Sequence, residues 1–501
     1  MSRSLSALAL VASATCWSCS TDFAPRACNS DAECGDGLVC NLSAGSTAGT
    51  CFDASASPLR FGMSAAASGP SQDLGTEMKR GVQLAFDAQN AAGGIHGRPL
   101  QLDFRDDEYN PELAQANADS LLDVKESGAP PRCPTTTSPP VAGQPPFSDR
   151  AIDRGPDAVL AVIGNVGTPT MVRFAPIAVE TQTMFFGAFT GAAAMLRDDK
   201  AGPCKRFIFN VRASYAQEAR ATLEFFVSRG VDDAEHLLSF DQDDSFGQAG
   251  YDGLSQAYAA LSDEGKLPAL PGGEEIARFR YQRDDVGSVP EQVENVATYL
   301  SALLEGNTAQ HTVGIFMTDT YGAGTGFIEG LRKWQYADVE AAARLTLVFS
   351  NVSFVGPNSL AERLREAGTV NTPDGAKPYT DDVYVSQVVP NYDEDSSDAV
   401  LAYKQLLGKG ATPNFTSLEG YLSGRVFIAG LLAHQGEFTA AGLVDTFETL
   451  PDLSLGLGAT SGFSTDDHNY SRSVWGTEIT AEGKFRNVYY WREGTPISFF
   501  E

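Results

Sequence analysis

From about residue 59 onward, short apolar segments alternate with longer amphipathic ones, and this rhythm is the strongest constraint on the fold. Residues 59–63, 158–163 and 312–317 have the apolar character of buried strands. Residues 75–90 repeat apolar side chains at helical spacing and end at two glycines. Strands that alternate with helices form parallel sheets covered by helices, so the sequence predicts an α/β fold. A chain of 501 residues is too long for one core, which favours more than one domain.

Several loops that follow the predicted strands carry side chains suited to ligand binding. In open parallel sheets, ligands bind outside the carboxyl ends of the strands. If the chain forms two α/β lobes that face one another, these loops meet in one cleft. The candidate ligand-binding residues at these loops are Thr168, Ala188, Phe189, Thr190, Phe246, Asp319, Tyr321 and Ser353.

Charge and motif content argue against several other functions. The net charge of −28 would repel a polyanion, so we expect no nucleic-acid partner. The five histidines are scattered without triad or metal spacing, and no phosphate-binding or nucleophile motif occurs, so we expect neither an enzyme nor a cofactor or metal. The aspartates of 241–244 are interpreted as helix caps rather than calcium ligands. The glycine-rich run 322–326 is interpreted as the start of a helix.

The first nineteen residues have the pattern of an export signal. A short apolar run follows Arg3, too short to span a membrane, and small residues and cysteines follow it. Cys16 and Cys19 both lie where a bacterial lipoprotein would be cut and acylated, and Cys19 is the favoured site. The alternative is a cleaved, soluble periplasmic protein. Either way, the sequence predicts a periplasmic or cell-surface location.

Six further cysteines are predicted to form disulfides: Cys28, Cys34, Cys40, Cys51, Cys133 and Cys204. An even number of cysteines in an exported chain favours disulfides. The first four lie in a short polar segment that cannot bury a core, so two bridges would stabilise it. A zinc site is the competing interpretation, but close Cys-x-x-Cys pairs are missing. The last two would join a proline-rich insert, residues 128–150, to the main body.

Several motifs in this order resemble the periplasmic binding proteins for leucine, isoleucine and valine. The closest stretch starts at Phe61 and runs through Gly81 to a Gly-Gly-Ile turn at 93–95. Further similar motifs are 106–111, 244–247, 419–421 and 462–469, so the resemblance covers about residues 59–495. It implies two Rossmann-like lobes with parallel central sheets, joined by three crossing segments, that close on a ligand. The implied organisation is a signal at 1–19, a linker at 20–57, a first lobe at 58–210 plus about 391–460, and a second lobe at 211–390 plus about 461–501.

The resemblance also implies roles for individual residues. Thr168 and the turn 188–190 match positions that hold the carboxylate and ammonium of an amino acid in the relatives. In the second lobe Phe246 stands where a tyrosine is usual, and the acid expected near Ser353 is missing. Asp319 either replaces that charge or is a solvated loop carboxylate. The second lobe therefore departs from the residue set that pairs with an α-amino acid in the relatives.

The function implied is capture of a small polar ligand, such as an amino acid or amide, by a monomer that delivers it to an ABC permease. Two alternatives stay open: a lipid-anchored sensing module that signals to a membrane partner, and an amide hydrolase on the same scaffold.

Overall fold

A computed structural model describes residues 27–30, 33–35, 38–41, 49–53, 57–133, 150–192, 205–272, 274–306, 308–455, 457 and 462–500. The signal region and Cys19 lie outside the described residues, as do Cys16 and Cys204.

The strands fall into two large sheets and three small ones. The strands are β1 (Ala27–Cys28), β2 (Leu38–Asn41), β3 (Gly49–Asp53), β4 (Leu59–Ala65), β5 (Leu100–Asp106), β6 (Lys125–Glu126), β7 (Ile152–Asp153), β8 (Ala161–Ile163), β9 (Met184–Phe186), β10 (Ile208–Phe209), β11 (Leu237–Gln242), β12 (Ala277–Tyr281), β13 (His311–Thr318), β14 (Leu345–Asn351), β15 (Thr369–Thr372), β16 (Gly375–Pro378), β17 (Val383–Gln387), β18 (Ser473–Ile479), β19 (Phe485–Arg492) and β20 (Ser498–Phe499).

Helices connect and cover these strands. They are α1 (Gln72–Ala91), α2 (Pro111–Leu121), α3 (Thr168–Glu180), α4 (Tyr215–Ser228), α5 (Ser245–Asp263), α6 (Val289–Leu304), α7 (Tyr321–Ala337), α8 (Val339–Arg344), α9 (Pro357–Ala367), α10 (Asp398–Leu407), α11 (Phe415–Ala433) and α12 (Ala440–Phe447). Among the described residues, no helix is long and apolar enough to cross a membrane.

The first lobe is built on a parallel sheet of order β10-β9-β8-β4-β5. Helix α11 returns from late in the sequence and packs against α1. The two helix backbones touch at Gly81, where a Cβ atom would lie 2.0 Å from the carbonyl oxygen of Ser417. Only glycine permits so close an approach of two backbones.

The second lobe is built on an eight-stranded sheet of order β12-β11-β13-β14-β17-β18-β19-β20. The first five strands are parallel, and the last three are antiparallel additions. Strands β18 and β19 form a C-terminal hairpin. Strand β17 pairs with β14 and β18 within this sheet, and the chain crosses to the first lobe after it.

Three segments connect the lobes, and two of them run side by side. Asn210 follows β10 and forms a parallel bridge with Asn469. The Asn210 amide donates to the His468 carbonyl at 2.8 Å, and the Tyr470 amide donates to the Asn210 carbonyl at 2.8 Å. The third crossing follows β17. This α/β architecture of two lobes with parallel central sheets and a three-segment hinge confirms the predicted fold.

Two local interpretations of the second lobe are tested by the structure. The helix-cap interpretation holds for Asp244, whose carboxylate accepts a hydrogen bond from the Phe246 amide at 2.8 Å and caps α5. It is wrong for Asp241, which lies in β11 and pairs with Arg278 at 2.7 Å. Helix α7 begins at Tyr321, so the glycine-rich run is a helix start.

The N-terminal cysteine segment forms its own small sheet of order β1-β3-β2. Two disulfides join Cys28 to Cys40 and Cys34 to Cys51. The prediction of two bridges in this segment is confirmed, and the pairing, which spacing alone left open, is interleaved. Cys133 is also disulfide-bonded; the part of the insert at 134–149 lies outside the described residues.

Candidate functional site

The first-lobe side of the cleft begins at the loop between β8 and α3. Gly167 has a φ of 99°, and a Cβ atom there would lie 2.4 Å from the Tyr109 ring. Glycine is therefore required for the loop to turn against this ring. Thr168 follows as the first residue of α3 and is buried.

The turn after β9 lies directly against this loop. The Thr168 and Thr190 hydroxyl oxygens are 2.7 Å apart, so the structure brings two of the predicted ligand residues into contact. The Phe189 amide already donates to the Asn165 carbonyl at 2.7 Å, and the Phe189 carbonyl accepts from the Gly167 amide at 3.2 Å. The Thr190 hydroxyl also accepts a hydrogen bond from the Ala192 amide at 3.3 Å, so contacts within the first lobe fix the position of this hydroxyl. Ala188 is buried in the same turn.

Aromatic rings from both lobes meet beside the turn 188–190. The ring of Phe354 lies 5.0 Å from that of Phe189 and 4.7 Å from that of Phe246, measured between centroids. It also lies 6.1 Å from the Tyr109 ring. The sequence predicted Phe189 and Phe246 but missed Phe354 and Tyr109. Both missed residues are aromatic and lie in loops after strands, which was a readable signal.

An acid from another element contacts Ser353. Glu218, on α4, accepts hydrogen bonds from the Ser353 amide at 2.7 Å and from the Ser353 hydroxyl at 3.1 Å. The Ser386 hydroxyl donates to the same carboxylate at 2.7 Å. The side chain and backbone of Ser353 and the Ser386 hydroxyl therefore fix the position of this buried carboxylate.

A buried arginine already neutralises this acid. Arg212, just after the first crossing, donates to Glu218 at 2.8 Å and also contacts the Ser353 hydroxyl. Its guanidinium lies 3.4 Å from Glu419 of the first lobe and 5.1 Å from the centre of the Phe189 ring. Despite burial, the neighbouring carboxylates of Glu419 and Glu218 raise the pKa of Arg212. Sequence reasoning missed this arginine and Glu218.

Asp319 is completely buried, so its interpretation as a solvated loop carboxylate is wrong. Its carboxyl group accepts a hydrogen bond from the side-chain amide (Nδ2) of Asn351 at 2.7 Å. Burial raises the pKa of Asp319 well above its usual range, and the nearby Asp241 raises it further. A carboxyl group in this setting favours its neutral form. A residue that replaced the missing ligand-pairing acid would have to be negatively charged, so Asp319 does not suit that role.

Tyr321 contacts the opposite lobe. Its hydroxyl donates to the Pro70 carbonyl at 2.5 Å. Nearby, the Ser359 hydroxyl donates to Asp73 at 2.9 Å. Both bonds join the second lobe to the first turn of α1 and the residues before it, so Tyr321 is placed to hold the lobes together.

A separate groove of about 930 Å³ lies on the second lobe between α4, α5 and the C-terminal hairpin. Ser214, Arg220 and Trp491 are among its lining residues, and it shares none of the predicted ligand residues.

Comparison with known proteins agrees with this geometry. Residues 58–128 match the family model described as "Periplasmic binding protein". No curated protein matches the chain.

Solved structures match over most of the chain. A possible leucine/isoleucine/valine-binding protein from Rhodopirellula baltica is 27% identical, with a TM-score of 0.64, covering 86% of this chain and 98% of its own. A branched chain amino acid ABC transporter from Thermus thermophilus with bound valine is 13% identical, with a TM-score of 0.62, covering 87% of this chain and 97% of its own. A fatty acid ABC transporter substrate-binding protein from Thermomonospora curvata is 14% identical, with a TM-score of 0.62, covering 87% and 93%.

The two lobes, the crossing segments and the cleft between strand ends define a substrate-binding protein architecture. The chain has the fold of the type 1 periplasmic binding proteins, and the resemblance drawn from the sequence is confirmed.

Proposed function

We propose that this chain captures a small polar molecule between its lobes, outside the cytoplasm, and delivers it to an ABC permease. The observation that carries the proposal is the ring contact across the cleft between Phe189, the neighbour of Thr190 in the first lobe, and Phe354 of the second lobe, 5.0 Å between centroids. A ligand that touches both walls binds the closed form better than the open form and so shifts the hinge equilibrium. Ligand capture, rather than chemistry, is the task of such a cleft.

The two walls restrict the ligand's chemistry. Threonine hydroxyls suit a carboxylate or amide end, and rings suit an apolar or planar body. Arg212 lies between the carboxylates of Glu218 and Glu419, so it balances one of these two negative charges and leaves the other for a cationic group of the ligand. The ligand classes that fit both walls are therefore acids and amides, with or without an amino group.

Delivery to a permease is supported by the similar structures, two of which are named for ABC transporters. The disulfide-stapled segment at 27–53 favours attachment at a membrane surface, where it would serve as a spacer. Such a spacer suits a sensing module as well. Reconstitution with the permease separates the two roles, because only a transport receptor stimulates ATP hydrolysis when loaded with ligand.

The ligand is found by a thermal-shift screen against amino acids, amides, short peptides and aromatic acids. At least one compound is expected to raise the Tm, because a ligand at 100 times its Kd stabilises the bound form by about 2.7 kcal/mol. Thr190→Ala and Phe246→Ala should each weaken its binding. If both variants keep the full affinity, the ligand binds elsewhere and the cleft assignment is wrong.

A further inference from the structure

A second cluster of titratable side chains lies on the second lobe, at the amino ends of the strands, whereas the cleft lies at their carboxyl ends. His236 directly precedes β11, and His311 is the first residue of β13. These strands are parallel neighbours, and the Gly314 amide donates to the His236 carbonyl at 2.9 Å. The strand register therefore brings together two histidines that are 75 positions apart. The expectation from the sequence that the histidines are scattered is wrong for this pair.

Two carboxylates complete the cluster. The Nδ1 atom of His236 lies 3.0 Å from Asp232 Oδ1 and 2.8 Å from Asp233 Oδ1. These ligand atoms all lie within 4.8 Å of one another. Both aspartates belong to the connection between α4 and β11, so one loop and one strand start supply all three groups.

Nδ1 of His236 is buried and, within the described part of the chain, has no aligned hydrogen bond, although both carboxylates lie at ion-pair distance. Asp233 Oδ1 also accepts a hydrogen bond from the His236 backbone amide at 3.1 Å. The other ring nitrogen, Nε2, lies 2.8 Å from Nδ1 of His311. When Nε2 donates its hydrogen to His311, Nδ1 is left as the unprotonated nitrogen that can bind a metal. Metal-binding histidines are commonly held in this way by a second group.

The spacing is close to that of a zinc site. Two ligand atoms of a tetrahedral Zn²⁺, each about 2.1 Å from the metal, are about 3.4 Å apart, so the two aspartates, now 3.0 and 2.8 Å from Nδ1, would move outward slightly on binding. One imidazole and two carboxylates suit Zn²⁺ better than Mg²⁺ or Ca²⁺, which prefer oxygen ligands. Water would fill the remaining positions, because Asp232 is mostly exposed.

We propose that Asp232, Asp233 and His236 form a Zn²⁺ site, with His311 as the group that positions His236. The site does not depend on the ligand proposed for the cleft. Binding would tie the loop after α4 to the strand edge, and any proton on Nδ1 would leave to solvent.

The test is calorimetric titration of EDTA-treated, dialysed protein with ZnCl₂, without reductant so that the disulfides stay intact. One equivalent of Zn²⁺ should bind and raise the Tm, and MgCl₂ should do neither. Asp232→Asn and His236→Gln should each weaken Zn²⁺ binding by at least about 10-fold, and His311→Phe by a similar factor. Asp232 is mostly exposed, so its variant is expected to fold normally.

His96→Gln is the matched control, because His96 lies on the first lobe and bonds the His434 carbonyl instead. It should bind Zn²⁺ like the wild type. The proposal is overturned if the wild type binds no Zn²⁺, or if Asp232→Asn and His236→Gln bind it as tightly as the wild type does.

Discussion

The hydroxyl oxygens of Thr168 and Thr190 lie 2.7 Å apart, although they come from two separate loops of the first lobe. A hydroxyl both donates and accepts, so such a pair can extend its hydrogen bonding to an oxygen atom of a ligand. Both side chains are buried, and removal of either hydroxyl leaves the other without this partner.

Thr190→Val should lower the free energy of unfolding by about 1–2 kcal/mol, because one buried hydroxyl loses its partner. It should also weaken ligand binding by about 10-fold, the equivalent of one hydrogen bond. Denaturant unfolding and calorimetric titration measure the two effects.

Thr183→Val is the matched control for this change. Thr183 forms a similar buried hydroxyl pair with Thr181, at 3.1 Å, after the end of α3. It should lose similar stability and keep its ligand affinity. Equal loss of affinity in both variants would mean that the effect on binding is structural.

Arg212→Met should destabilise the protein by about 3–5 kcal/mol, because Glu218 would stay buried without its cation. Adding Glu218→Gln should recover part of this loss, since one of the two carboxylates left without a cation, Glu218 and Glu419, is then neutral. Chemical denaturation of the single and double variants measures both. The exposed pair of Lys333 and Glu329 gives the comparison, and Lys333→Met should cost less than about 1 kcal/mol. A double variant less stable than Arg212→Met would contradict this account of the network.

Tyr321→Phe should weaken ligand binding several-fold with little change in stability, because it removes a hydrogen bond from the second lobe to the Pro70 carbonyl of the first. This bond joins the lobes only in the closed form, so its removal destabilises the closed form relative to the open form. Tyr258→Phe removes a similar bond, to the Pro268 carbonyl, within one lobe. An equal loss of affinity in Tyr258→Phe would argue against a role of Tyr321 in closure.

The buried Asp107 carboxyl should make the free energy of unfolding fall as the pH rises. Burial raises the pKa of Asp107 from 3.8 to about 7, against the lowering effect of hydrogen bonds from Ser64 and the Tyr109 amide. The folded state thus binds this proton more tightly than the unfolded state. The resulting stability is fully present below about pH 4 and is lost as pH rises through 7. Relative to Asp107→Asn, the wild type should lose about 2–3 kcal/mol between pH 5 and pH 8.

Asp123 gives the opposite control. A hydrogen bond from Lys125 lowers the pKa of Asp123, so its contribution is lost only as pH falls below about 4. The difference between the wild type and Asp123→Asn should therefore stay constant from pH 5 to pH 8. If the difference in stability between the wild type and Asp107→Asn also stays constant from pH 5 to pH 8, the fold does not stabilise the neutral form of Asp107.

The strands and the first-lobe wall were predictable because their signals are local. The apolar run at 59–63 became β4, and the glycine-flanked Thr168 became the start of α3 beside the cleft. Helix α4 was missed, although Ser214 and Gln217 form a capping box that the sequence displays.

The charged part of the site was not predictable, because its contacts depend on distant segments. Glu218 and Ser353 are 135 positions apart, and only the packing of α4 beside the sheet joins them. His236 and His311 meet through strand register in the same way. Periodicity identifies elements, but it does not identify which polar side chains a fold buries together.

The crystal structure of the protein with the compound found by screening tests the central claim most directly. We predict ligand density between the lobes, with an oxygen atom at the Thr168–Thr190 pair and the body of the ligand against Phe246 and Phe354. Density in the groove beside Arg220 and Trp491, with an unchanged interlobe cleft, would contradict the account.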